Sequence, residues 1–84
     1  MRIPAQQNVR VAGGVTNTMQ ITVNGKSREC RQGLSIRELL DELAVKKNGI
    51  AVEVNRAIVP RSRHASTSLQ PGDVVEIVTF VGGG

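Results

Sequence analysis

"LSIRELLDELAVKKNG", Leu34 to Gly49, is the stretch whose reading decides the fold. Ser35, with Glu38 three residues on, makes a capping box in which the two residues satisfy each other's backbone N–H groups. Ile36, Leu39, Leu40 and Leu43 follow at i, i+3, i+4 and i+7, one apolar stripe at helical period. Acids crowd the first half, and Lys46 and Lys47 stand at the far end, the order that a helix dipole favours. Asn48-Gly49 supplies a stop. The spacing predicts one amphipathic helix, with its leucine stripe buried in a core.

Strands flank this helix on both sides. Upstream, "MQITV" alternates: Met19, Ile21 and Val23 face one way, Gln20 and Thr22 the other, as in a half-buried strand. Asn24-Gly25 follows, a strong hairpin signal, so Lys26 to Cys30 is the return strand. Downstream, "IAVEVN" alternates with Ile50, Val52 and Val54 inward and Glu53 outward. Asn55-Arg56 turns into a short "AIVP" strand that Pro60 ends. "RSRHASTSLQPGD" reads as an irregular connection closing in a turn at Gln70-Pro71-Gly72-Asp73. The last strand is Val74 to Phe80. One helix over a mixed sheet is an α+β architecture, and the β-grasp (ubiquitin-like) roll fits this order most simply. In that roll the sheet has four to five strands, with the first and last parallel at its centre. The sequence thus divides into a flexible N-terminal extension at 1–18, a β-grasp domain at 19–80 and a flexible glycine tail at 81–84. Residues 1–18 carry few large apolar groups, which is the basis for expecting no order there.

Size and charge narrow the function. A chain of 84 residues makes one domain with little room for a deep cleft. The net charge is +4, yet Arg2 and Arg10 lie in the acid-free extension, and all seven acids are interspersed with the remaining bases. Phe80 is the one aromatic residue, so no platform for stacking bases exists, and a nucleic-acid partner is not expected. No apolar run reaches membrane-spanning length and the N-terminus does not read as a secretory signal. Cys30 is the one cysteine, which fits a reducing cytoplasm and excludes an intrachain disulfide. Its place in an alternating stretch makes it a small, half-buried apolar residue. His64, between basic neighbours Arg61 and Arg63, reads as a solvated loop histidine. Glu53 and Glu76 fall close together on an open sheet face and read as solvated carboxylates. Neither set makes a catalytic or metal constellation.

The chain closes on "VEIVTFVGGG", Val75 to Gly84. Glycine costs most to order, so a glycine end is either idle or the working part. A Gly-Gly end has no side chains and can thread a narrow channel in another protein. Its carboxylate can attack the α-phosphate of ATP, and the acyl-adenylate so formed is open to attack by a thiol or persulfide. The sequence has no phosphate-binding glycine loop followed by Lys and Ser or Thr, so the tail is expected to be another enzyme's substrate. Val74, Val78 and Phe80 share the parity of the outward Glu76. If Val75 and Ile77 point to the helix, Val78 and Phe80 are apolar groups on the open face beside the tail, which marks either a docking surface or an end that a loop or another strand covers.

From Met19 onward the chain resembles the ThiS family, the sulfur carriers of thiamine biosynthesis. The resemblance is carried by "ITVNGK" (Ile21–Lys26), "IRELLDEL" (Ile36–Leu43), "IAVEVN" (Ile50–Asn55), "IVPR" (Ile58–Arg61) and "PGDVVEIVTFVGGG" (Pro71–Gly84), in family order. The closing segment is the most specific. Family members usually begin near Met19, so residues 1–18 depart from the pattern. The resemblance implies a non-enzyme, a protein co-substrate that binds no cofactor of its own. A ThiF-like adenylyltransferase would adenylate the Gly84 carboxylate with ATP and magnesium. Sulfur, usually from a cysteine desulfurase persulfide, would convert it to a thiocarboxylate. A thiazole synthase (ThiG-like) would take that sulfur into thiazole. Gly82 and Gly83 would serve passage through the partner's channel, and by the face argument Val78, Phe80 and Val81 are the candidates for contact with the partner. The same fold and ending also suit a molybdopterin-synthase small subunit or a ubiquitin-like protein modifier, and a plain binding module would leave the tail inert.

Overall fold

Two-residue turns set the register of both hairpins. Asn24 (φ 48°) with Gly25 (φ 83°), and Asn55 (φ 53°) with Arg56 (φ 72°), hold the paired positive φ that a type I′ hairpin demands. The first joins β1 (Thr18–Val23) to β2 (Lys26–Arg31), and the second joins β3 (Ile50–Val54) to β4 (Ala57–Val59). The computed structural model describes residues 17–46 and 48–80. Between the hairpins lies the one α-helix of the described residues, α1 (Ile36–Glu42), and the last element is β5 (Val74–Thr79). The sheet order is β2-β1-β5-β3-β4. β5 runs parallel to β1, with Val23 beside Val75, and antiparallel to β3, with Val52 opposite Ile77. This is the expected β-grasp roll, with the first and last strands side by side at the centre.

Alternation sorts the two faces of the sheet. Met19, Ile21, Cys30, Val52 and Val75 are buried against Ile36, Leu39 and Leu40 of α1, with Leu34 and Leu69 completing the core. Val23, Leu43, Ile50, Val54 and Ile77 pack at its margin. Cys30 is therefore a core residue. Burial foremost, with the Glu42 carboxylate adding, holds its thiol above the ordinary value, so it stays protonated and unreactive near neutrality.

The helix is shorter than its sequence suggests. The capping box forms as expected: Glu38 N–H donates to Ser35 Oγ at 3.0 Å, and Ser35 N–H donates to Glu38 Oε1 at 2.9 Å. The stop is at Leu43, not at Asn48-Gly49. Ala44 takes φ 57°, its N–H donates to Asp41 O at 3.1 Å, and Val45 N–H donates to Leu40 O at 3.0 Å. These two bonds are a Schellman closure, with alanine where glycine is usual. Val45 at its end packs on the core. The burial of Val45 draws the chain out of the helix before the lysines are reached, so no basic residue lies in the last turn. Gly49 (φ 72°) instead shapes the entry to β3, where its carbonyl accepts the Phe80 N–H at 2.7 Å.

Other departures are local. β1 begins at Thr18, inside the expected extension, and the Asn17 carbonyl accepts the Gln32 N–H at 3.1 Å. β2 runs on to Arg31, and β5 stops one residue short of Phe80. The connection after β4 contains a 3-10 turn at Arg61–Arg63. His64, expected in solvent, is 5% exposed, with Nε2 2.9 Å from the Val59 carbonyl. A carbonyl only accepts, so Nε2 carries the hydrogen. Flanking basic residues in sequence said nothing of the tertiary contact that buries this ring.

Candidate functional site

The expected working end comes directly after β5, so the setting of that strand defines the site. β5 is held on both sides by backbone pairing and again by the side chains of the two turn asparagines. Asn55 accepts the Val74 N–H at 2.9 Å through Oδ1 and donates through Nδ2 to Asp73 Oδ1 at 2.9 Å. Asn24 accepts the Ile77 N–H at 2.7 Å through Oδ1, and its Nδ2 lies 3.4 Å from the Ile77 carbonyl. β1 has already ended at Val23, so the Asn24 side chain extends its ladder along β5. The positive φ that makes these asparagines turn residues also aims their amides at β5. Local sequence signals reveal the turns but not this second role.

The open sheet face carries the exposed apolar groups. Register places Val74, Glu76 and Val78 of β5 on the face away from α1, with Ala51 and Glu53 of β3 beside them and Ile58 opposite Glu53. Val74 is 43% exposed, Val78 48%, Phe80 59% and Ile58 67%. Val78 and Phe80 are thus exposed as the alternation predicts. Ile58 is an addition to the sequence-based set, although counting back from the Asn55-Arg56 turn pairs it with outward Glu53. Glu53 and Glu76 are directly opposite each other in the ladder, a like-charge pair within the apolar patch. Val81, Gly82, Gly83 and Gly84 lie outside the described residues.

Two shallow depressions flank the end of β5. One, of about 560 Å³, is lined by Val45, Gly49, Ile50, Thr79 and Phe80 among others. The other, of about 400 Å³, lies between the Asn24 turn and Leu43, with Ile77 and Thr79 on its wall. Among the described residues no group of three or more His, Cys, Asp or Glu side chains could hold a metal, and no helix is long and apolar enough to cross a membrane. The arrangement is a rigid strand under a half-apolar face, suited to presenting the C-terminal residues to a partner.

The ThiS family model matches residues 21–84. The sulfur carrier protein ThiS of Escherichia coli is 35% identical over 66 residues, covering 79% of this chain and 100% of that protein. A thiazole synthase of Paramagnetospirillum magneticum is 41% identical over 66 residues, and the chain spans 20% of its length. The crystal structure of the thiamine biosynthesis protein ThiS from Geobacter metallireducens is 36% identical, superposes with a TM-score of 0.69, and is covered in full by 79% of this chain. Fold, face pattern and match through the final glycines agree: the chain belongs to the ThiS family.

Proposed function

We propose that this chain is a sulfur carrier for thiazole formation in thiamine biosynthesis, acting in the cytoplasm as a co-substrate and not as a catalyst. The observation that carries the reading is a family match running unbroken from β1 through the terminal glycines. In the proposed cycle a Gly84 carboxylate oxygen attacks the α-phosphorus of ATP on a ThiF-like enzyme, which uses magnesium, and pyrophosphate leaves. A persulfide sulfur, from a donor such as a cysteine desulfurase, attacks the acyl carbon and AMP leaves. A thiol then cleaves the sulfur–sulfur bond, leaving a thiocarboxylate on Gly84 for a ThiG-like thiazole synthase.

The chain's own share is presentation. β5, pinned by Asn24 and Asn55, fixes where the tail departs. Val78, Phe80 and Val81, joined by Ile58, form the apolar contact with the partner. Gly82 and Gly83 offer a backbone without side chains to a narrow channel. The Glu53–Glu76 pair favours a partner with a basic side chain at that point, since a cation between two facing carboxylates relieves their repulsion. The experiment is a tail truncation. Deleting Gly83 and Gly84 abolishes sulfur transfer in a reconstituted thiazole assay while leaving the thermal midpoint unchanged. Full transfer by the truncated chain would remove the carrier reading and favour a binding module with an inert tail.

A further inference from the structure

A second site lies at the other end of α1. Arg37, Leu40, Arg61 and His64 line a pocket of about 120 Å³, room for roughly four waters. Its walls are fixed by backbone bonds across the fold. Arg37 N–H donates to the His64 carbonyl at 3.0 Å, and Ile36 N–H donates to the Thr67 carbonyl at 3.0 Å. The 3-10 turn that presents Arg61 closes with His64 N–H on the Arg61 carbonyl at 3.1 Å. The start of the helix and the connection after β4 are therefore one unit.

Its chemistry is one-sided. The His64 ring is buried, and its Nε2–H is committed to the Val59 carbonyl. Its other nitrogen, Nδ1, makes no hydrogen bond among the described residues. The ion pairs Arg28–Glu42 and Arg31–Glu38 use neither Arg37 nor Arg61. Glu38, the acid next to Arg37 in sequence, is held by Ser35 and Arg31. Two arginines and a buried histidine thus line a small concavity. Each guanidinium is a planar fork that suits an oxyanion bidentately, and His64 Nδ1 is not among the buried unpaired atoms, so it is open to solvent.

We propose that this pocket binds a tetrahedral oxyanion of the phosphate class. Arg37 and Arg61 grip its oxygens, and His64 Nδ1 meets a protonated oxygen as acceptor. The pocket takes the phosphate group alone, whether free or carried on a larger molecule. It stands apart from the end of β5: α1 spans seven residues, about 10 Å at 1.5 Å per residue, and separates it from the depression beside Phe80. A ligand here bears on α1 and the connection after β4, not on the reacting carboxylate.

The test is an amide and imidazole NMR titration of the full chain with inorganic phosphate, against chloride and acetate at matched ionic strength. The expected result is saturable shifts centred on Arg37, Arg61 and His64 with phosphate alone. In the Arg37→Gln/Arg61→Gln variant, affinity falls at least tenfold. Both positions are exposed, so the variant folds, as its unchanged dispersion elsewhere would verify. Titration with 5′-AMP separates the sources: tighter binding than inorganic phosphate assigns a carried phosphoryl group, equal or weaker binding a free ion. Shifts that fail to saturate, that chloride or acetate reproduces, or that persist in the double variant would overturn the site. The titration uses the chain alone, so its failure leaves the sulfur-carrier reading intact.

Discussion

Ala44 holds the least comfortable backbone position in the helix closure. A left-handed residue with a Cβ costs about 1 to 2 kcal/mol, and glycine removes that cost. Ala44→Gly is therefore expected to stabilise the fold by about 1 kcal/mol, a rise of about 4 to 8 °C in thermal midpoint for a domain this small. No gain in a calorimetric melt would mean that the Schellman closure is not strained. At the opposite end of α1, Glu38 bonds the Ser35 N–H and Arg31, and both favour its ionised form. The Ser35 N–H bond foremost holds its carboxyl below the ordinary 4.5. Its contribution is thus full above pH 4.5 and fades as pH falls through the lower folded value. Glu38→Gln should flatten that acid limb in a pH series of denaturant melts by lowering stability at neutral pH towards its acid value. Ser35→Ala removes the cap itself and should cost about 1 kcal/mol at every pH.

At the scale of elements, β5 is the central strand of the sheet and the element on which the proposed presentation rests. Asn24→Ala leaves the Ile77 N–H without its partner and should cost about 1 kcal/mol, with faster amide exchange at Ile77 as the specific sign. Loss of stability without that local change would mean that only the turn was disturbed. Phe80→Ala touches an exposed position, so stability should move by less than about 0.5 kcal/mol. Its binding to the proposed adenylating partner should weaken tenfold or more, measured by calorimetric titration. The strands, both hairpins and the face parity were legible in the sequence because period-2 alternation and Asn-containing turns are local signals. The early end of α1 was not. Leu43 continues the apolar stripe and Asn48-Gly49 looks like a stop, but burial of Val45 outweighs both. His64 escaped for the same reason: its environment is made by Val59 and α1, which no local pattern brings together. Ile58 could have been found, since its face is fixed by the turn register.

The whole molecule is a central strand carrying a glycine tail from a sheet with one face covered and one open. The covered face provides stability: Leu40 is fully buried beneath the sheet, and Leu40→Ala should cost about 2 to 5 kcal/mol. The open face and the tail carry the proposed function, and sequence made both visible through parity and through the resemblance to the ThiS family. The central claim is that Gly84 carries sulfur. Its most direct test is the intact mass of the chain after incubation with a ThiF-like enzyme, ATP-magnesium and a sulfur donor. The account predicts the mass gain of one carboxyl oxygen exchanged for sulfur, confined to the C-terminal peptide. An unchanged mass, with the enzyme active on another carrier, would contradict it.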